Sequence, residues 1–207
     1  MLTMGPKPAD ARFTVIAVHG RGASAEDILG LARELRLDDM AWLAPQAAGN
    51  TWYPYSFLAP IEQNEPGLTS ALRVLSSLVH LVGDQGVEPE RVGFLGFSQG
   101  ACLSLEFAAR HARRYSGVFG LSGGLIGPPG AARNYTGTFS GTPIFLGCSD
   151  VDPHIPLERV RESAEVFRRM GALVDERIYP RMGHMVNEDE LRAVQDILGS
   201  RRVQTPR

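Results

Sequence analysis

The sequence contains little cysteine, little net charge and no long hydrophobic run. Its two cysteines, Cys102 and Cys148, are too few for a disulfide framework or a four-cysteine zinc site in 207 residues. A net charge of −2 excludes a nucleic-acid-binding protein that relies on overall basic charge. No run of about 18 apolar residues is present, so we expect no stable membrane insertion. The first residues also lack the apolar stretch of a signal peptide, and we expect a cytoplasmic protein with reduced thiols.

What the sequence does contain is typical of one globular domain. Hydrophobic residues make up 43% and charged residues 21%, which is close to the average for such domains. The 23 glycines and 14 prolines predict many tight turns. We therefore predict a single domain over residues 1–207, with flexible ends at 1–12 and 200–207.

Short apolar segments alternate with amphipathic segments along the chain. The apolar segments predict six strands, at residues 13–18, 41–44, 91–97, 117–121, 143–148 and 173–179. Helical spacing of apolar residues predicts helices at about 25–36, 67–86, 99–113, 157–170 and 187–198. This alternation indicates an α/β fold, with a mainly parallel sheet of about six to seven strands and helices on both faces. Functional residues in such folds follow the carboxyl ends of the strands.

One of these strands ends in a five-residue motif with a known chemical use. Residues 96–100, GFSQG, fit the pattern G-x-S-x-G between a strand and a helix. The glycines permit a sharp, strained turn that holds the Ser98 hydroxyl clear of the sheet. The hydroxyl then lies beside a helix N-terminus, which favours developing negative charge. Ser98 is therefore a candidate nucleophile, and an ordinary glycine-rich turn is the alternative.

Two later strand ends carry the partners that a nucleophilic serine needs. Asp150 and Asp152 follow the fifth predicted strand, and either carboxylate could orient a histidine. His184 follows the sixth strand, just before the last helix. The order serine, aspartate, histidine is the chain order expected for a catalytic triad on this kind of sheet.

The loop after the first predicted strand, HGRGA at residues 19–23, indicates an oxyanion hole. In this arrangement one backbone N–H comes from that loop and one from the residue after the nucleophile, which gives Arg21 and Gln99. We expect the Arg21 guanidinium at the mouth of the site, where it could attract an anionic substrate group. His19 is expected to pack in the turn rather than to act as a base.

Four segments together resemble the phospholipase/carboxylesterase family of α/β hydrolases, which includes acyl-protein thioesterases. They are HGRGA at 19–23, GFSQGA at 96–101, CSDVDPHIP at 148–156 and YPRMGH at 179–184. The resemblance implies the α/β-hydrolase fold, with Ser98 as nucleophile, Asp152 as acid and His184 as base. It also implies that the oxyanion donors are Arg21 and Gln99. The family commonly has leucine where this sequence has Arg21.

These observations predict a serine hydrolase that cleaves small or short-chain carboxylic esters through an acyl-enzyme, without metal or cofactor. Neither long loop, 45–66 or 122–141, contains an amphipathic helix that could serve as a lid, so we predict no lid domain. One alternative is an acyl-protein thioesterase or lysophospholipase that acts on long acyl chains. Another, from a different class, is a catalytically silent binding protein with the same fold.

Four further side chains are candidates for the substrate site. Trp52, Phe57 and Leu125 are candidate acyl-pocket residues, with packing in the core or in a loop as an equal alternative. His154 follows Asp152 closely in the sequence and is a candidate wall residue. The partner that we expect is a small-molecule ester. Nucleic acid is not expected, and a homodimer stays open.

Overall fold

The structure, a computed structural model, describes residues 1–200, and a seven-stranded sheet forms the centre of that part of the chain. The strands are β1 (Leu2–Met4), β2 (Thr14–Val18), β3 (Ala41–Ala44), β4 (Val92–Phe97), β5 (Gly117–Leu121), β6 (Pro143–Ser149) and β7 (Leu173–Tyr179). Their order across the sheet is β1-β3-β2-β4-β5-β6-β7. Every pair is parallel except β1 with β3, which confirms the predicted mainly parallel sheet.

Helices cover both faces of the sheet. They are α1 (Ala25–Glu34), α2 (Gly67–Gly83), α3 (Gln99–Arg110), α4 (Leu157–Arg169) and α5 (Glu188–Ser200). Helices α2, α3 and α4 pack on one face, in a core that includes Ile16 and Val18 of β2. Helices α1 and α5 pack on the other face, against Val15 and Ala17. Side chains of β2 therefore alternate between two buried faces, which explains the unbroken apolar sequence of this strand.

The N-terminal residues differ from the prediction. A flexible end is expected at 1–12, but Leu2–Met4 form β1 and pair with the edge strand β3. Arg91 donates hydrogen bonds to the carbonyl oxygens of Ala9 and Ala11, which ties down the chain between β1 and β2. A strand of three residues is too short to show a periodic pattern, so the sequence did not reveal it. At the other end α5 extends to Ser200, and residues 201–207 lie outside the described residues.

Two long connections follow β3 and β5 at the carboxyl edge of the sheet. The connection at 45–66 contains only two short 3-10 turns, Ala48–Asn50 and Ile61–Asn64. The connection at 122–141 contains no helix. Among the described helices, none combines the length and the apolar character that crossing a membrane requires.

Candidate active site

Ser98 stands at the junction of β4 and α3 in a strained backbone conformation. Its φ of 56° lies in the left-handed region, which is uncommon for residues other than glycine. The neighbouring glycines allow the turn to pack tightly against β2. A Cβ on Gly100 would overlap the carbonyl oxygens of Val18 and His19, and a Cβ on Gly96 would overlap the carbonyl oxygen of Gly100. Close contacts therefore require glycine at both positions of the motif.

The side chains of Ser98, His184 and Asp152 form a hydrogen-bonded chain. His184 Nε2 lies 2.8 Å from Ser98 Oγ, and His184 Nδ1 lies 2.7 Å from Asp152 Oδ2. A neutral imidazole that donates from Nδ1 to the carboxylate leaves Nε2 to accept the serine proton. The three residues follow β4, β7 and β6, so the parallel sheet brings together three predicted side chains that lie far apart in the sequence.

Asp152 is favoured in its ionised form although its side chain is fully buried. Burial opposes ionisation, but hydrogen bonds from His184 and from the backbone N–H of His154 outweigh it. They hold the pKa of the Asp152 carboxyl below its usual value. Asp150 instead accepts a 2.7 Å hydrogen bond from the backbone N–H of Arg181, in the loop that carries His184. Of the two candidate aspartates, Asp152 is the one that contacts the histidine.

Two buried thiols lie close to these residues. Cys102 is one helical turn after Ser98 in α3, and Cys148 Sγ lies 3.7 Å from Asp152 Oδ2. Burial raises the pKa of both thiols to about 12, which disfavours the reactive thiolate. Within residues 1–200, no three histidine, cysteine, aspartate or glutamate side chains are grouped so that they could hold a metal ion.

Among residues 1–200, the two N–H groups predicted as oxyanion donors have no backbone hydrogen-bond partner. The loop after β2 approaches the serine so closely that a Cβ on Gly20 would lie 3.4 Å from Ser98 Cβ. In this loop the N–H of Arg21 donates no backbone hydrogen bond to a described residue. Gln99 is the first residue of α3, so its N–H has no preceding helical turn to which it could donate. Both groups are therefore available to a negatively charged oxygen.

The side chains of Arg21 and Gln99 hold one segment of the site, residues 51–55. Arg21 Nη1 and Nη2 donate hydrogen bonds of 2.7–2.9 Å to four oxygen atoms of this segment. Gln99 accepts a 2.9 Å bond from the N–H of Trp52 and donates a 2.8 Å bond to the carbonyl oxygen of Tyr53. The Arg21 guanidinium is thus engaged by hydroxyl and carbonyl groups of the protein. Arg21 also lines the cavity beside Ser98, so the guanidinium lies at the site as expected. Its attraction of an anionic substrate group stays a prediction, because neutral acceptors leave the positive charge in place.

A cavity of about 490 Å³ opens beside Ser98. Its wall consists of the segment after β3, the start of α3, the loop after β6 and Arg21 from the loop after β2. Phe57 and His154 line this cavity, as predicted from the sequence. Tyr53 and Ile155 also line it and were not predicted. Cys102 could have been predicted as a wall residue, because a residue four positions after Ser98 lies on the same face of a helix.

Trp52 and Leu125 do not line this cavity. Trp52 is 6% exposed, packs against the His19 ring and donates from Nε1 to the carbonyl oxygen of His19 at 2.8 Å. Leu125 is fully buried, and its backbone N–H bonds to Ser163 Oγ. Both side chains therefore pack within the protein, which is the alternative that the sequence left open. A bulky apolar residue type alone does not distinguish a cavity wall from a core. His19 is buried in its turn, as predicted.

Comparison with known proteins gives the family. Residues 5–200 match the family model described as Phospholipase/Carboxylesterase. The chain belongs to this family. The crystal structure of a phospholipase/carboxylesterase from Dyadobacter fermentans is 45% identical in sequence, with a TM-score of 0.92 and 95% of each chain covered. The predicted α/β-hydrolase fold is confirmed.

Two curated relatives extend the comparison. Acyl-protein thioesterase 1 of Gibberella zeae is 27% identical over 93% of this chain and 92% of its own length. Acyl-protein thioesterase 1 of Saccharomyces cerevisiae is also 27% identical, over 92% of this chain and 93% of its own length. This member of the phospholipase/carboxylesterase family is an enzyme of the serine-hydrolase class, as predicted. The alternative of a catalytically silent binding protein is not supported.

Proposed function

We propose that the chain is a serine carboxylesterase that hydrolyses small or short-chain carboxylic esters, with Ser98, His184 and Asp152 as its catalytic triad. One observation carries the proposed chemistry: the hydrogen-bonded chain from Asp152 through His184 to Ser98, with distances of 2.7 and 2.8 Å. Membership of the phospholipase/carboxylesterase family supports the same chemistry. The proposed partner is a small-molecule ester, and the proposed compartment is the cytoplasm, which is compatible with two free, buried cysteines.

In the proposed acylation step, Ser98 Oγ attacks the ester carbonyl carbon while His184 Nε2 takes the hydroxyl proton. Asp152 fixes the imidazole tautomer and stabilises the imidazolium that forms. The backbone N–H groups of Arg21 and Gln99 bind the oxyanion, and the N-terminus of α3 adds a favourable dipole. His184 then gives its proton to the departing alcohol oxygen as the carbon–oxygen bond breaks, which leaves the acyl group on Ser98.

Water completes the proposed reaction. His184 takes a proton from a water molecule as the water oxygen attacks the acyl carbon. The bond between the acyl carbon and Ser98 Oγ then breaks, and His184 returns the proton to the serine as the carboxylic acid is released. Besides the ester and the water molecule, the proposed steps use side chains and backbone N–H groups of this chain.

A second candidate function is hydrolysis of long-chain thioesters or lysophospholipids. It is favoured by the curated relatives, which are named acyl-protein thioesterase 1. Burial of each methylene group contributes about 0.8 kcal/mol, so an enzyme for acyl chains of about 14 to 16 carbons should show a steep rise in kcat/KM with chain length. A series of matched esters and thioesters from two to sixteen carbons separates the two candidates.

Substitution of the proposed nucleophile tests the proposed function. Ser98→Ala should lower ester turnover by a factor of about 10³ or more, with the fold intact by circular dichroism. A fluorophosphonate probe should label the parent enzyme but not this variant. Ser77→Ala, on the exposed face of α2, is the matched control and should keep both turnover and labelling. Full turnover in pure, folded Ser98→Ala would contradict the assignment.

A further inference from the structure

A second cavity, of about 380 Å³, meets the site at His184. Ser98 is part of the wall of the first cavity, whereas His184 is part of the wall of the second. A hydrogen bond of 2.8 Å joins these two side chains. The two cavities therefore lie beside the same hydrogen-bonded pair: the first cavity borders Ser98, and the second borders His184.

Apolar side chains from three elements form most of the second cavity. Ile28 and Leu31 are one turn apart on α1, and Phe97 ends β4. Met185 and Val186 directly follow His184 in the sequence. Met185 is 54% exposed, so part of this apolar wall faces solvent.

The polar side chains on this wall use part of their hydrogen-bonding capacity within the protein. Asp27 Oδ2 accepts hydrogen bonds from the backbone N–H and the hydroxyl of Ser24, at 2.8 Å each, as part of the cap of α1. His19 Nε2 accepts the N–H of Ala47, and His19 Nδ1 lies 2.7 Å from the carbonyl oxygen of Gly20. The wall that remains for a ligand is therefore mainly apolar, with Asp27 Oδ1 and His184 as its polar groups.

We infer that this second cavity is the leaving-group subsite and that it takes esters of apolar alkyl or aryl alcohols. The inference rests on the proposed function. His184 gives its proton to the departing alcohol oxygen, so that oxygen must lie within hydrogen-bond reach of Nε2. The rest of the alcohol then extends into the cavity that His184 lines. The acyl group occupies the other cavity, beside Ser98 and Gln99.

A series of n-alkyl acetates tests this subsite. With a constant acetyl group, every substrate gives the same acyl-enzyme, and kcat/KM reports the steps through loss of the alcohol. Ethyl, butyl and hexyl alcohols are similar leaving groups, so chemical reactivity stays nearly constant. We expect kcat/KM to rise at least about tenfold from ethyl to hexyl acetate, because the added methylenes leave water. The acetate ester of an ether alcohol of the same length as hexanol should lose most of this gain in kcat/KM.

Two leucine variants test whether the second cavity causes the rise in kcat/KM with alcohol length. Leu31→Gln places an amide on the wall of the second cavity and should lower the ratio of hexyl to ethyl acetate kcat/KM about fivefold or more. The ratio of ethyl hexanoate to ethyl acetate kcat/KM should not change, because the acyl group lies in the other cavity. Leu81→Gln replaces a 42% exposed leucine of α2 outside both cavities, and it should leave both ratios as in the parent.

The outcomes separate this inference from the proposed function. Ester turnover with a flat alcohol series would overturn the subsite and leave the proposed function intact. A Leu31→Gln variant that changes the acyl ratio instead of the alcohol ratio would also overturn the subsite. Absence of ester turnover in the parent, or full turnover in Ser98→Ala, would overturn the proposed function and the subsite with it.

Discussion

Two aspartates on one loop have different contacts, and substitution at each should separate their roles. Asp152 contacts His184, whereas Asp150 accepts the N–H of Arg181 in the histidine loop. Asp152→Asn should lower kcat by about 10⁴, by analogy with other triads, because an amide favours the wrong imidazole tautomer. Asp150→Asn keeps an oxygen acceptor for the backbone N–H of Arg181 and should lower kcat far less. Steady-state kinetics on a short-chain ester check the ranking, and a larger loss in Asp150→Asn would reverse the assignment.

We expect the Arg21 side chain to act mainly by positioning one segment of the site. Its four hydrogen bonds hold the segment 51–55, which forms part of the wall of the first cavity. Arg21→Ala should therefore raise KM for neutral esters more than it lowers kcat, with a total loss in kcat/KM of about tenfold or more. Arg21→Lys should not restore activity, because an ammonium group cannot reproduce the planar set of donors.

Salt dependence distinguishes this role from attraction to substrate charge. The test uses an ester that carries a carboxylate. Bonds within the protein should give the same loss in kcat/KM for this ester at low and at high ionic strength, whereas attraction to its charge is screened. Arg73→Ala on the exposed face of α2 removes the same charge elsewhere and is the control. A loss in Arg21→Ala that vanishes in about 1 M salt would point to substrate charge instead.

At the scale of secondary-structure elements, burial decides what the sequence can predict. β2, β4 and β5 are covered on both faces, so continuous apolar segments mark them within a residue or two. β1 has three residues and left no pattern. The triad candidates were predictable because each follows a recognisable strand. The contacts of Trp52 and of the Arg21 side chain were not predictable, because both side chains donate to carbonyl groups of loops without periodicity.

The start of α5 contains a buried carboxyl that should make stability depend on pH. Glu190 Oε2 accepts the N–H of Asn187, and Asn187 Oδ1 accepts the N–H of Glu190, which is a reciprocal helix cap. Glu190 Oε1 has no hydrogen-bond partner among the described residues. Burial raises the pKa of Glu190 from 4.5 to about 7. The folded state therefore binds this proton more tightly than the unfolded state does.

Stability should accordingly fall as pH rises from about 4.5 to about 7, because the folded state must lose a proton that it holds tightly. Glu190→Gln replaces the titrating carboxyl with an amide that does not ionise in this pH range. The free energy of unfolding of the variant relative to the parent should rise by roughly 1–3 kcal/mol between pH 5 and pH 8. Urea unfolding at the two pH values measures the difference, and Glu188→Gln, at an exposed position of the same helix, is the control. A relative stability that is independent of pH would show that Glu190 ionises normally in the fold.

At the scale of the whole molecule, the parallel sheet brings the chemistry to one edge. Loops after β2, β4, β6 and β7 supply the candidate oxyanion donors and the triad, and the segment after β3 supplies much of the first cavity. The alternation of strands and helices in the sequence predicts this convergence, since it indicates a parallel sheet and parallel strands place their carboxyl ends together. It could not predict the two cavities, whose walls combine α1, the 51–57 segment and residues after His184.

The whole molecule also determines how the site meets its substrate. The long connections at 45–66 and 122–141 contain no α-helix that could close over Ser98. The site should therefore be accessible without a lid movement, and activity should need no lipid surface. We expect the rate on tributyrin to follow simple saturation below its solubility limit, with no increase when droplets form. A lidded lipase assayed in parallel shows the increase that interfacial activation produces. The same increase in this enzyme would show that one of the two connections covers the site in water and moves at an interface.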